Sequence, residues 1–252
     1  RRGCGPVIEE NLSLLLVAIP LIAAPLTALL PAGRLPWLSA LAVTWITLVL
    51  AGWQLWLVAD GSIISYALGG WAPPWGIEYR IDALNALVAL IVAGIGAITL
   101  PYALRSVAQE IPRRQTPYFY AAFLLCFDGL LGITQTGDIF NLFVFLEISS
   151  LSSYALISMG QNRRALTAAY QYLIMGTIGA TFLLIGIGLV YSETGTLNML
   201  DLNTRLQGIY DQRTVHTAFA FMLVGISLKL ALFPLHLWLP NAYTYAPSAI
   251  TV

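Results

Sequence analysis

The sequence predicts an all-α fold: a polytopic transmembrane helical bundle with about seven complete spans, an interrupted seventh helix and the start of an eighth. Three observations carry this expectation. Hydrophobic residues make up 58% of the chain and charged residues 10%, against about 25% charged in soluble domains, and the mean hydropathy is +0.78. The apolar residues form continuous runs near the ~20 residues that cross a bilayer, without the period-two alternation of a membrane barrel. The last run ends in a group of prolines, Pro234, Pro240 and Pro247.

The spans fall at about 11–31, 37–59, 82–104, 117–136, 138–159, 166–191 and 215–239, and an eighth begins near residue 247. The first contains Pro20 and Pro25 and follows RRGCGPVIEE without a methionine, so it reads as a membrane helix rather than a cleaved signal. Loops after odd-numbered spans carry Arg34, then Arg105, Arg113 and Arg114, then Arg163 and Arg164, against the single acid Glu110. Loops after even-numbered spans carry Asp60, Glu78, Asp138, Glu193, Asp201 and Asp211 with Arg80, Arg205 and Arg213. The positive-inside bias places the arginine-rich loops in the cytoplasm and the N-terminus outside. The sixth span contains GTIGATFLLIGIG, Gly176 to Gly188, whose small residues suit close helix packing better than nucleotide binding. The longest connection, 192–214, is too short for a domain. The chain stops at SAITV as an apolar stretch begins, and reads as part of a longer protein.

Several function classes are disfavoured. The formal net charge is zero and no charge run suggests nucleic acid. Cys4 and Cys126 offer neither a disulfide nor a metal framework. No phosphate-cradling glycine loop, clustered metal ligands or serine–histidine–acid set is present, so no metal or cofactor is implied.

Three ionisable residues remain inside spans: Asp128, Glu147 and Lys229. Such groups are costly in a membrane and are functional candidates by default. Lys229 is the only lysine in the chain. It stands roughly 21 Å of helix from Val215 at ~1.5 Å per residue, a long reach for a snorkelling side chain. Glu147 shares its helix face with Asn141, Ser150 and Tyr154, while Ser149, Ser152 and Ser153 add small polar surface. Asp128, in LLCFDGLLG, has Gly129 alone beside it and reads equally as a neutral acid in a helix contact. Burial disfavours the charged form of any such group, so each can change charge at moderate cost, as a proton relay requires. Pro234 and Pro240 break the helix after Lys229, and irregular backbone at this depth must be satisfied by protein or a water-lined cavity. His236 stands on the broken segment; histidine is the side chain suited to changing charge at physiological pH, and it fits a relay, a gate or an interfacial helix end.

Three stretches, TGDIFNLFVFLEISSLSSYALIS, QYLIMGTIGATFLLIGIGLVYSETGTLNM and KLALFPLHLWLPNAYTYAPSAITV, resemble the proton-conducting antiporter-type subunits shared by multisubunit (Mrp-type) cation/proton antiporters and respiratory complex I. The wording is most like the D-type member of the antiporter, and the resemblance covers roughly residues 80–252. It divides the chain into N-terminal helices, 1–80, and a conducting domain, 81–252, incomplete at its C-terminus. It implies Glu147 as the fifth-span glutamate, Lys229 as the lysine beside the interrupted seventh helix, and fourteen spans in two inverted five-helix repeats, of which this chain holds the first only up to the start of its last helix. It also implies a bacterial inner-membrane location, other membrane subunits as partners, and protons and a monovalent cation, sodium foremost, as cargo. The rival implied by the same family is a proton-pumping subunit of NADH:quinone oxidoreductase or a membrane-bound hydrogenase. Two positions depart from the family pattern: Asn241-Ala242-Tyr243 follow WLP in place of an acidic start, and Gln171 stands where a lysine is common.

Overall fold

The structure, a computed structural model, describes residues 5–251, with side chains from Asn11 onward. The helices α1 (Gly5–Ala28) and α2 (Leu35–Val58) precede a hairpin of β1 (Ile64–Ala67) and β2 (Glu78–Ile81). Then follow α3 (Ala83–Glu110), α4 (Thr116–Gln135), α5 (Ile139–Ser158), α6 (Arg163–Thr194), α7 (Met199–Leu206), α8 (Arg213–Lys229), α9 (Trp238–Tyr245) and α10 (Ser248–Thr251). Among the described residues, α1 to α6 are long and apolar enough to cross a membrane.

Local chemistry sets the boundaries. Asp82 and Asp138 cap α3 and α5 by accepting from the backbone N–H of Asn85 and Asn141, each at 2.8 Å. Proline stands at the start of α2 and α4, where its missing donor is harmless. Gly195, with φ 68°, ends α6 in the left-handed conformation that glycine adopts without strain.

The seventh helix is interrupted as expected: α8 stops at Lys229, residues 230–237 turn, and α9 resumes at Trp238, so the 215–239 stretch is two helical pieces. One expectation needs correction. The connection 60–80, expected to be a plain loop in an all-α chain, holds an antiparallel hairpin with Ile64 opposite Ile81 and Tyr66 opposite Tyr79.

Small residues govern helix spacing. A Cβ on Gly225 of α8 would lie 2.7 Å from Gly179 O and 2.8 Å from Leu183 N, and one on Gly186 would lie 2.9 Å from Ala218 O. The α6 and α8 backbones therefore touch, as the glycine pattern predicted. Gly129 performs the same service between α4 and α5, facing Ser149 N and Phe145 O. A buried amide cluster joins α1, α2 and α4: Gln54 Nε2 donates to Gln135 Oε1 at 2.7 Å and to Ser13 Oγ at 3.2 Å.

The two ends of the bundle differ. At one end the hairpin is stitched to the α4–α5 and α6–α7 turns: Gly137 N donates to Glu78 O at 2.8 Å, and Asn198 Nδ2 donates to Glu78 Oε2 at 2.7 Å. At the other, Gln161 Nε2 donates to Gln109 O at 2.8 Å, and Arg34, Arg105 and Arg113 line one cavity. This separation matches the alternating loop charges.

Candidate functional site

The site is built where α5, α6, α8 and α9 meet. Lys229 is the last residue of α8, and its Nζ donates to Glu147 Oε1 at 2.5 Å and to Ser150 Oγ at 3.0 Å. The side chains of Lys229 and Glu147 are 11% and 24% exposed. Ser150 in turn donates to Leu146 O at 2.7 Å, so its hydroxyl has a fixed lone pair for the lysine. The ammonium lies at the negative end of the α8 dipole, an attractive arrangement beyond the carboxylate contact. Removing one partner of such a pair would leave a charge uncompensated at about 3–5 kcal/mol.

The lysine occupies this position because α8 ends abruptly. Ala231 takes φ 51°, the left-handed conformation usual for glycine at a helix end, at a cost of about 1–2 kcal/mol. Turn hydrogen bonds then occupy the last carbonyls: Leu230 N donates to Ile226 O at 2.8 Å, Leu232 N to Ser227 O at 3.0 Å and Ala231 N to Leu228 O at 3.2 Å. Trp238 adds its indole N–H to Leu228 O at 3.1 Å. These carbonyls are thus satisfied by protein, through the turn and the tryptophan, rather than by a water-lined cavity. Pro234 lies within the break. Pro240 lies in the first turn of α9, where its missing donor does not matter, so it begins the second helical piece and interrupts nothing.

An aromatic column fixes the other wall. Trp238 stacks on Tyr172 with ring centroids 4.0 Å apart, and Tyr172 meets Tyr154 edge-on at 4.5 Å. The absence of a side chain at Gly176 leaves room for the Tyr154 hydroxyl. Toward the arginine-rich end lies a crevice of about 150 Å³ bordered by Ser153, Tyr172, Trp238 and Tyr243. A second cavity of about 290 Å³ is lined by Arg164, Thr167, Gln171, Asn241 and Tyr245. In it Asn241 Nδ2 donates to Gln171 Oε1 at 3.0 Å, so the two residues that depart from the family pattern are direct partners.

The other sequence-nominated residues do not join the pair. Asp128 is fully buried on α4, and neither carboxylate oxygen has a hydrogen-bond partner. Burial and, next, the Asp128 charge push the Tyr79 phenol up to about 12, so Asp128 lies within electrostatic reach of the hairpin. His236 sits in the break with its ring 5.5 Å from that of Phe233 and its Nδ1 buried without a partner. Asn141 donates to Thr136 Oγ1 at 3.0 Å, tying it to the α5 cap rather than to Glu147. Sequence reasoning missed Tyr172 and Trp238. The aromatic composition of WLP and QYL was the available signal, but it gives no pairing.

Residues 136–252 match the family described as "NADH:quinone oxidoreductase/Mrp antiporter, TM". NADH-quinone oxidoreductase subunit N of Desulforudis audaxviator is 44% identical over 96% of this chain and 49% of that protein. The D-type chain of the Na(+)/H(+) antiporter of Bacillus subtilis is 31% identical over the same shares. A solved chain of the membrane-bound sulfane sulfur reductase, an archaeal respiratory membrane complex, superposes with TM-score 0.89 at 34% identity. It covers 96% of this chain and 49% of its own length. The chain belongs to the antiporter-type membrane subunit family. A chain of the Mrp complex from a Dietzia species also superposes, with TM-score 0.84 at 28% identity over 97% of this chain and 45% of that one. The family is thus represented on both its antiporter and its respiratory sides, and this chain spans about half the length of the curated relatives it matches. It is a multi-pass membrane protein.

Proposed function

We propose that this chain is a proton-conducting subunit of a multisubunit Na+/H+ antiporter in the bacterial inner membrane, with its N-terminus outside and other membrane subunits as partners. The observation that carries the reading is the 2.5 Å contact between the only lysine and Glu147, part-buried at a helix break among apolar spans. In this reading the carboxylate attracts the ammonium. Protonating Glu147, or drawing it away, removes that attraction and eases release of the lysine proton. Ser150 keeps the amine oriented through the change. Residues 81–252 carry this machinery, and residues 1–80 brace it.

The two cavities bordering Gln171, Asn241, Tyr172 and Trp238 support a proton approach from the arginine-rich end, past Arg164 and the amides and hydroxyls of Gln171, Asn241, Tyr245, Ser153 and Tyr243. Asp128 and His236 are proposed as further proton stations, because each has a buried polar atom without a partner. No resident metal or cofactor enters the scheme.

A second reading, a pumping subunit of a redox-driven complex, is favoured by the 44% identity to a quinone oxidoreductase subunit. Proton flux in vesicles carrying the whole assembly separates the two. The antiporter reading expects flux driven by a sodium gradient alone; flux that requires an electron donor and quinone would replace it with the second. Accessibility labelling of single cysteines in 105–116, 160–165, 60–80 and 192–214 tests the orientation. Labelling of 105–116 from outside would reverse it.

A further inference from the structure

Arg34, Arg105 and Arg113 are scattered along the sequence, yet the fold gathers them around one cavity of about 850 Å³ at the arginine-rich end. None forms an ion pair among the described residues, and no carboxylate lines the cavity. Glu110, the acid nearest in sequence, is committed elsewhere, accepting from Ser106 Oγ at 2.9 Å and from Ser248 N at 2.8 Å. All three are solvent-exposed, so water screens their mutual repulsion, and together they present a positive potential that favours an anion. Two helices also start near here, α2 at Leu35 after Arg34 and α4 at Thr116, and neither has a side-chain cap. The positive ends of their dipoles point the same way as the arginine charge.

The remaining wall is mostly apolar, with Gln109 and Thr116 as its polar members. Trp37, Val107 and Tyr120 line it, and the Trp37 indole is already committed to Leu100 O at 2.8 Å. A wholly polar ligand would leave this wall unused, whereas a molecule with a charged head and a hydrocarbon tail uses both. Basic pockets between membrane helices on the cytoplasmic side are suited to acidic headgroups.

We propose that this cavity binds a phosphate-bearing anion, held as the headgroup of an anionic phospholipid with an acyl chain along the Trp37–Tyr120 wall. The site is separate from the Lys229 pair and stands or falls independently of the transport reading. The test is titration of the protein, purified with its partner subunits, with short-chain phosphatidylglycerol and with phosphatidylcholine, read by native mass spectrometry. Each arginine replaced by glutamine should weaken phosphatidylglycerol binding about fivefold, and the triple variant about a hundredfold. Arg114→Gln, outside the cavity, should leave binding unchanged. The single variants keep the test usable if the triple variant fails to assemble. Displacement of the lipid by millimolar inorganic phosphate would support the phosphate chemistry while assigning its source to a soluble anion. Equal binding of phosphatidylcholine, or undiminished phosphatidylglycerol binding by the variants, would overturn the proposal.

Discussion

Gly225→Ala tests whether helix spacing sets the charge pair. The added methyl would lie 2.7 Å from Gly179 O, about 0.7 Å short of the 3.4 Å at which ordinary contact begins, with Leu183 N at 2.8 Å and Leu183 Cβ at 3.0 Å. Two of these three obstacles are backbone, so they cannot swing aside, and α6 and α8 must part. Overpacking of this kind costs about 1–3 kcal/mol, offset by about 1 kcal/mol of helix propensity gained over glycine. Lys229 is one turn further along α8, so the same displacement would stretch its 2.5 Å contact with Glu147. Thermal unfolding followed by tryptophan fluorescence should show a midpoint lowered by several degrees, about 2–4 °C per kcal/mol for a chain of this size. Proton flux should fall with it. Gly188→Ala is the control, because nothing lies within 4 Å of its added carbon, and it should behave as wild type or slightly better. An unchanged midpoint and unchanged flux in Gly225→Ala would refute the argument from spacing.

Trp238→Phe keeps a ring against Tyr172 but removes the indole N–H from Leu228 O. It should lower stability by about 1 kcal/mol and make residues 230–237 exchange amide hydrogens faster, while equal exchange would deny the tryptophan its capping role. Asp138→Ala should cost about 1 kcal/mol as a lost cap, and Asp138→Asn should recover most of it. Burial, its largest influence, raises the pKa of Asp138 above the ordinary aspartate value. A raised folded value means the folded state binds the proton more tightly than the unfolded state. Asp138 alone therefore contributes stability below its unfolded pKa, and this is lost as pH rises through its folded pKa. In Asp138→Asn, chemical denaturation at pH 4 and pH 7 should show that dependence reduced. An unaltered pH dependence would assign it to another group.

Much of the bundle was legible from the sequence because a bilayer demands long apolar runs and sorts loop arginines to one side. The glycine face of α6 was legible because only a missing Cβ admits a neighbouring backbone, as at Gly179 and Gly225. The lysine and glutamate stood out by their cost in lipid. Their meeting was not legible, since helix rotation and neighbour choice leave little trace when lipid-facing and protein-facing surfaces are equally apolar. For the same reason the partners Asn241 and Gln171 were separately visible as departures, but not as a pair. The chain showed no basic run, yet folding assembled three arginines from distant loops. The β1–β2 hairpin was hidden by its brevity, with strands of four residues each. The end of α8 was hidden because an alanine, Ala231, takes the conformation that a glycine would have announced.

The central claim is that Lys229 and Glu147 exchange charge rather than merely hold helices together. Lys229→Arg keeps a positive charge and hydrogen-bonding capacity but does not readily release a proton, and Lys229→Ala removes both. The most direct measurement is proton flux in vesicles containing the whole assembly, compared across these two variants and wild type, with assembly quantified in the same membranes. The account predicts normal assembly for arginine with flux nearly as low as for alanine. Wild-type flux in Lys229→Arg, or in a fully assembled Lys229→Ala, would contradict it.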